Sequence, residues 1–197
     1  MGIIDNILSE EDFKLLHDEV MSGEFPWYYG RKVHSEDEYE NFFLYGWNAH
    51  IVRGTQTVYD PNGIIIPMVK KALINAGEDL NEIVRLRIIL NTAADKNYQN
   101  GIHVDLDHRH RTALLYLNDS DGNTILFNEK YDPTDDYADS KLYMEKRISE
   151  FTVQSEVEPK ANRLFIFNGL NYHTGTTPTK VPRRVIMNIN YTFHPKK

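Results

Sequence analysis

The chain has 197 residues, 41% of them hydrophobic, and this length suits a single domain spanning residues 1–197. Its formal net charge of −7 provides no basic surface for a polyanion, so nucleic acid is not expected as a partner. The absence of cysteine excludes disulfide bonds and thiolate metal sites, so nitrogen and oxygen atoms must ligate any metal. Without a secretion signal or a sufficiently long apolar segment, we expect a cytoplasmic protein without membrane contact; its oligomeric state stays open.

Two helices are predicted in the first part of the chain. Ser9 precedes three acidic residues, as at a helix N-terminus, and apolar residues then recur at helical spacing to about residue 21. A second apolar face follows Pro61 and ends at Gly77, as a helix C-terminus would. We interpret residues 1–81 as a support, containing helices and strands, for a core formed by residues 82–193.

The remaining pattern is typical of strands. Residues rich in β-branched and aromatic side chains predict strands at 27–33, 41–47, 83–92, 111–118, 124–127, 163–167 and 185–193. A hairpin turn is predicted at 119–123, and the polar segment 128–160 is interpreted as a surface insertion with at most one helix, near 140–148. This order favours a mainly β fold with flanking helices, a double-stranded β-helix (jelly-roll) barrel, with a sandwich without a cavity as the alternative.

A metal site is predicted from two separated segments. Side chains two residues apart on a strand point to the same face, so the imidazole of His103 and the carboxylate of Asp105 would converge. A third ligand must come from a distant strand, and His173 fits. Two histidines and one carboxylate leave three octahedral positions open, the arrangement of non-haem Fe(II) oxygenases. The H-x-D triplet alone is a weak signal, because a chain with eight histidines can contain one by chance.

The histidines that follow the triplet admit another interpretation. His108 and His110 fall on the opposite strand parity from Asp105, and a histidine-rich cluster is also found in cupin metal sites. We interpret both as solvated residues of the loop after Asp105. The alternative kind of protein is a cupin-like metal-binding jelly-roll module without enzymatic activity.

A cationic anchor for a diacid is predicted beyond His173. Arg183 and Arg184 open an extended segment, and an arginine can hold a carboxylate through two parallel hydrogen bonds. Strand alternation places Arg184 on a polar face with Asn188, and Arg183 on an apolar face, so Arg184 is preferred and Arg183 is the alternative. An ordinary surface ion pair is the competing interpretation of this arginine.

An ordered series of motifs extends from about residue 82 to 193. In order, it comprises His103-Val104-Asp105, a strand ending in Tyr116-Leu117-Asn118, Gly122-Asn123 before Phe127, Arg163-Leu164-Phe165-Ile166-Phe167, His173-Thr174-Gly175 with Pro178, and Arg184. This series resembles the prolyl-4-hydroxylase-like branch of the 2-oxoglutarate/Fe(II)-dependent oxygenase superfamily.

The resemblance implies a set of site residues. His103, Asp105 and His173 would bind Fe(II), and Arg184 would pair with the C5 carboxylate of 2-oxoglutarate. Tyr116 would donate a hydrogen bond to the same carboxylate, although it is equally interpretable as a core aromatic residue. The co-substrate pocket is completed by Asn188 and by Asn91, which stands where many family members carry a tyrosine.

The resemblance also implies an activity. The enzyme would be a dioxygenase that uses Fe(II), 2-oxoglutarate and O2 to hydroxylate its substrate, with release of succinate and CO2. The presence of Asp105 favours hydroxylation over halogenation. The net negative charge of the chain disfavours repair of alkylated nucleic acid as its function. A peptidyl proline is the leading substrate, with other peptide, protein or small-molecule substrates open. Residues 27–29 and the segment 128–160 are candidates for the substrate mouth and lid.

Overall fold

The protein is described here by a computed structural model covering residues 1–30, 46–132, 134 and 148–194. Its helices are α1 (Glu10–Met21) and α2 (Ile65–Asn75). The strands are β1 (Gly2–Ile4), β2 (Tyr28–Gly30), β3 (Gly46–Arg53), β4 (Gln56–Thr57), β5 (Leu80–Thr92), β6 (Arg111–Tyr116), β7 (Thr124–Lys130), β8 (Val153–Val157), β9 (Arg163–Asn168), β10 (Asn171–Gly175) and β11 (Arg183–Phe193). Neither of these helices is long and apolar enough to cross a membrane. The prediction of a mainly β fold with flanking helices is confirmed.

The strands form two antiparallel sheets. The large sheet has the order β1-β9-β6-β11-β5-β3-β2, with β4 beside β3, and the small sheet has the order β10-β7-β8. Leu126 and Val157 of the small sheet pack against large-sheet residues such as Phe165 and Ile186. The small sheet therefore covers one face of the large sheet, and the site described below lies between the two.

The helices cover the opposite face of the large sheet. Leu16 of α1 and Leu73 of α2 belong to the same buried cluster as Val185 and Met187 of β11. On β11, residues of one parity thus face the helices and residues of the other parity face the small sheet. This is the division between the two faces that the alternation of polar and apolar residues predicts.

Local signals account for the positions of both helices. The Ser9 side chain accepts a hydrogen bond from the Asp12 backbone N at 3.2 Å, which confirms the predicted N-cap. At α2 the N-cap residue is Ile64, and the carboxylate of Asp60 accepts hydrogen bonds from the backbone N–H groups of residues 64–66, where the helix begins. Gly77 follows α2 with a φ of 74°, as expected of a residue just beyond a helix C-terminus.

Several strands differ from the prediction. β8 (Val153–Val157) lies within the predicted surface insertion and pairs with β7, which itself extends to Lys130. Its residues are mostly exposed, because it is the edge strand of the small sheet, and so its sequence is polar. β3 continues to Arg53, six residues beyond the predicted end, while β1, β4 and β10 are short strands that no pattern indicated. The predicted helix near 140–148 and parts of the strands at 27–33 and 41–47 lie outside the described residues.

His110 is buried, and its prediction as a solvated loop residue is wrong; His108 is exposed, as predicted. The backbone N of Gly169 donates to the His110 carbonyl at 3.1 Å, next to the point where β6 begins to pair with β9. This pairing brings the imidazole against Gly169, and its Nδ1 lies 2.7 Å from the His108 carbonyl. Burial lowers the pKa of His110, so the ring is neutral.

Replacing Gly169 with alanine is expected to destabilise the protein. A Cβ atom at this position would lie 2.1 Å from Nε2 of His110, so the buried ring would have to move. Overpacking of this kind costs about 1–3 kcal/mol of unfolding free energy, measurable by urea denaturation. Gly23→Ala is the matched control, because nothing lies within 4 Å of a Cβ there. Equal stability of the two variants would show that the His110 ring is not held against Gly169.

Candidate metal centre

Backbone pairing brings His103 and His173 face to face. The two residues exchange both backbone hydrogen bonds, with N···O distances of 3.0 and 2.9 Å. His103 belongs to an isolated bridge and not to a strand, contrary to the prediction for the H-x-D segment. The reason is a register shift of one residue between this bridge and the neighbouring pair Gln99–Thr176, which interrupts a regular ladder.

The side chains of His103, Asp105 and His173 converge on one point. Their ligand atoms all lie within 4.8 Å of one another. Nε2 of His103 is 3.8 Å from one carboxylate oxygen of Asp105, and Nε2 of His173 is 3.6 Å from the other. The structure thus places together the three residues that were predicted as metal ligands.

Both imidazoles are oriented by backbone carbonyls. Nδ1 of His103 lies 2.9 Å from the Gly101 oxygen, and Nδ1 of His173 lies 3.1 Å from the Asn171 oxygen. A carbonyl oxygen only accepts hydrogen bonds, so in the neutral rings the proton is on Nδ1 and the lone pair is on Nε2. Each Nε2 lone pair therefore faces Asp105, which is the tautomer and orientation that metal-binding histidines adopt.

The protonation states leave a negative site. Burial, followed by the charge of His173, lowers the pKa of His103 to about 3, so that ring is neutral near pH 7. For Asp105, burial alone would raise the pKa, but His173, Arg85 and His103 outweigh it and hold the pKa well below its usual range. The Asp105 carboxylate and the Nε2 lone pair of His103 face each other and repel unless a cation lies between them. This donor set suits a divalent transition metal such as Fe(II).

Asp105 is held in place by residues that the sequence did not identify as part of the site. Arg85 forms a close ion pair with it, and Nδ2 of Asn190 donates to it at 2.9 Å. Asn190 in turn accepts a hydrogen bond from Nε of Arg85 at 2.7 Å. Asn188, predicted to contact the co-substrate, donates to both carboxylate oxygens at 3.1 Å. The parity of β5 and β11 was the signal that could have identified Arg85 and Asn190.

A narrow cavity extends from the two histidines into the space between the sheets. It is lined by Ile89, Asn91, Asn100, His103, Leu114, Thr124, His173, Thr174, Gly175, Arg184, Ile186 and Asn188. Arg184, Asn91 and Asn188 were predicted to line such a pocket, and all are buried here. Arg183 is exposed at the start of β11, so the geometry favours Arg184 over this alternative anchor.

Arg184 is a buried guanidinium, 3% exposed, at the end of this cavity. Its Nη2 donates to Thr124 Oγ1 at 2.8 Å, while its Nε has no hydrogen-bond partner. Among the described residues no carboxylate forms an ion pair with it, and burial lowers its pKa. A buried arginine without a counter-ion is costly, so the cavity is suited to an anionic ligand.

Tyr116 does not line the cavity. It is fully buried in the cluster between the sheets, and its hydroxyl donates to Thr124 Oγ1 at 2.8 Å. Thr124 thus accepts hydrogen bonds from both Tyr116 and Arg184, and its own hydroxyl proton is left to donate into the cavity. Thr124, which the sequence indicated only as a strand residue, lines the cavity next to Arg184, and Tyr116 lies behind it.

Two glycines make room for the arginine. A Cβ atom on Gly175 would lie 3.2 Å from Nη1 of Arg184, and one on Gly122 would lie 3.1 Å from its Cδ and 2.6 Å from the Thr176 carbonyl oxygen. Both glycines belong to the sequence motifs described above. Their physical role here is to let the backbone approach the guanidinium closely.

Comparisons with known proteins agree with this geometry. Residues 89–192 match the model of the 2OG-Fe(II) oxygenase superfamily, and no curated protein matches the chain. Among solved structures, a prolyl hydroxylase from Trichoplax adhaerens, in complex with a hypoxia inducible factor peptide fragment, has a TM-score of 0.58 at 17% identity, covering 96% of this chain and 82% of that one. A Pseudomonas putida prolyl-4-hydroxylase has a TM-score of 0.56 at 16% identity, covering 98% and 92%.

A third solved structure widens the range of activities on this fold. The non-heme alpha ketoglutarate dependent epimerase SnoN from nogalamycin biosynthesis has a TM-score of 0.66 at 12% identity, covering 97% of this chain and 77% of that one. At such identities the similarity establishes the fold, which is the predicted double-stranded β-helix.

The half-buried, neutral His50 predicts loss of stability in acid. Burial, then Arg53, Arg87 and Arg85, lowers the pKa of His50 to about 4, while an unfolded histidine titrates near 6.5. Between these values the unfolded state binds more protons, so the free energy of unfolding of the metal-free protein should fall as the pH drops from about 6.5 towards 4.

The test is urea denaturation of the metal-free protein across this pH range. His50→Gln should flatten the dependence, and His108→Gln, at an exposed position, should leave it unchanged. Identical slopes for His50→Gln and the wild type would contradict the prediction.

Proposed function

The chain belongs to the 2OG-Fe(II) oxygenase superfamily, and on this premise we propose that it hydroxylates its substrate at the centre formed by His103, Asp105 and His173. As a 2-oxoglutarate-dependent oxygenase it uses Fe(II), 2-oxoglutarate and O2. We assign Fe(II) to the two Nε2 atoms and the Asp105 carboxylate. Their convergence, their protonation and the three octahedral positions that they leave open support this assignment.

The buried Arg184 is the observation that carries the proposal. A metal-binding jelly-roll module has no need for an unpaired guanidinium at the bottom of its cavity, whereas a diacid that reaches the metal does. In our proposal Arg184 pairs with the C5 carboxylate of 2-oxoglutarate, and Thr124 donates its free hydroxyl proton to the same group. Tyr116 acts one step further away, by orienting Thr124.

The protein residues orient and shield the reaction. Bound Fe(II), with 2-oxoglutarate and O2, supplies the oxidising power that inserts one oxygen atom into a C–H bond and releases succinate and CO2. Arg85, Asn188 and Asn190 keep Asp105 ionised and fix its two oxygens. Ile89, Leu114 and Ile186 provide an apolar wall that limits access of water to the cavity.

A peptidyl proline is the substrate that we propose first. Two of the similar structures are prolyl hydroxylases, one of them in complex with a peptide fragment, and both span nearly the whole of this chain. The third is an epimerase, so this fold also supports chemistry on other substrates. A small molecule is the second candidate.

Arg184→Gln is expected to weaken 2-oxoglutarate binding at least about thirtyfold, because it removes the only cation at the bottom of the cavity among the described residues. Anaerobic titration of the Fe(II)-loaded protein measures this through the weak visible band that forms when 2-oxoglutarate chelates Fe(II). The matched control is Arg183→Gln, next in the chain but exposed, which should bind like the wild type. The reverse order of the two variants would assign the anchor to Arg183.

His173→Ala should abolish the formation of succinate in the absence of substrate, because it removes one of the three proposed ligands. His194→Ala is the control, since that residue lies outside the site at the end of the described chain. Succinate release is measured by mass spectrometry with Fe(II), 2-oxoglutarate and O2 present. Turnover by His173→Ala at the wild-type rate would exclude this ligand set.

A further inference from the structure

A row of cationic side chains lies beside the proposed metal site, on the face of the large sheet that lines the cavity. Arg85 and Arg87 share one face of β5 with Ile89 and Asn91, which line the cavity itself. Both guanidinium groups are therefore directed to the side of the sheet that carries Asp105. Their charges act on that carboxylate and on the neighbouring imidazoles.

The adjacent strand β3 contributes two further basic residues beside Arg85 and Arg87. His50 is paired with Arg87, and Arg53 is paired with Arg85. A β-bulge between His50 and Val52 makes this possible, because two consecutive residues, Ile51 and Val52, are buried in the helix-side core. Without the extra residue, Arg53 would point towards the helices. The bulge thus adds a third arginine to the face that carries the metal site.

Within the described part of the chain, Arg87 has no counter-ion of its own. Its Nε is buried without a hydrogen-bond partner, and none of the described carboxylates forms an ion pair with it. Burial and the charge of Arg85 lower its pKa, and the carboxylate that opposes this is Asp105. Asp105 already accepts hydrogen bonds from Arg85, Asn188 and Asn190 and is a proposed metal ligand, so it does not also serve as the counter-ion of Arg87.

When Fe(II) and 2-oxoglutarate are bound, the positive charges of this row are not neutralised. In the proposed function, Fe(II) is offset by Asp105 together with one carboxylate of 2-oxoglutarate, and the other carboxylate is offset by Arg184. Arg85 and Arg87 then remain as surplus positive charges in a partly buried place, although the chain as a whole is acidic. A further anion would relieve this repulsion.

A separate cavity is lined in part by His50 and Arg53, the two residues of β3 that pair with Arg87 and Arg85. Its volume is about 270 Å³, and its lining includes His50, Arg53, Tyr28 and Tyr59. It combines a cationic side with two aromatic side chains. This volume approaches the lower end of the range for small-molecule pockets, about 300 Å³.

We propose that the substrate carries a carboxylate group, which Arg87 binds at the mouth of the metal site while Tyr28 and Tyr59 contact the part of the substrate next to it. The inference rests on the proposed function, in which Arg184 is occupied by 2-oxoglutarate. Arg53 supports the same carboxylate from the rim, and Arg85 remains with Asp105.

The test uses fluorine NMR of the protein loaded with Zn(II), as a diamagnetic substitute for Fe(II), and with saturating 2-oxoglutarate. The probes are para-fluorobenzoate and para-fluorobenzamide, which differ in charge but hardly in shape. The wild type should bind the acid and not the amide. Arg87→Gln should weaken binding of the acid at least about thirtyfold, while Arg183→Gln should bind it like the wild type.

A second variant covers the case in which Arg87→Gln fails to fold. Arg53 is exposed, so the Arg53→Gln variant should fold, and it should bind para-fluorobenzoate severalfold more weakly than the wild type does. The inference is overturned if the wild type does not bind the acid, if it binds the amide equally well, or if excess 2-oxoglutarate displaces the acid, which would place it at Arg184. The proposed function fails separately, through absence of the visible Fe(II)–2-oxoglutarate band.

Competition with unlabelled compounds identifies the source of the carboxylate. Displacement of para-fluorobenzoate by the blocked peptide Gly-Glu-Pro-Gly, and not by Gly-Gln-Pro-Gly, would support an acidic side chain in a peptide substrate. Displacement by free L-proline, and not by prolinamide, would support a small amino acid substrate. Both results agree with a carboxylate at Arg87.

Discussion

The central position of β11 in the large sheet is the constraint on which the site depends. The strand is hydrogen bonded to β5 on one side and to β6 on the other, so neither of its edges is free and its register is fixed in two directions. From residue 184 to residue 191, alternate residues then divide between two environments. Val185, Met187 and Ile189 join the helix-side core, whereas Arg184 and Asn188 face the small sheet. A shift of one residue would exchange these sets, burying the arginine among leucines and removing the support of Asp105.

This constraint explains why much of the site was predictable from the sequence. The parity of β11 is visible as an alternation of polar and apolar residues, so the placement of Arg184 on the cavity-lining face was predictable from the sequence. The convergence of His103 and Asp105 was also foreseen, although the local geometry was not. They lie on an irregular segment that is held to β10 by backbone hydrogen bonds, and such tertiary pairing leaves no periodic signal in the sequence.

Other features depended on contacts between distant segments. Thr124 lines the cavity and Tyr116 lies behind it, in contact through a hydrogen bond between strands that alternation within one strand does not reveal. The burial of His110 depends on Gly169, almost sixty residues later, and the polar edge strand β8 gains its structure only by pairing with β7. The bulge that turns Arg53 to the face of the metal site could not be predicted from the sequence either, because Ile51 and Val52 resemble any apolar pair in a strand.

The paired backbones of His103 and His173 have a consequence for how the protein handles its metal. The two residues are joined by their own hydrogen bonds, and Asp105 is held by side chains that include Arg85, Asn188 and Asn190, so each proposed ligand is in position before any ion binds. Binding then requires little ordering of the chain, and release does not free a loop. The metal can therefore bind and dissociate while the protein stays folded. The fraction of protein with an occupied metal site then depends on the iron concentration and not on refolding.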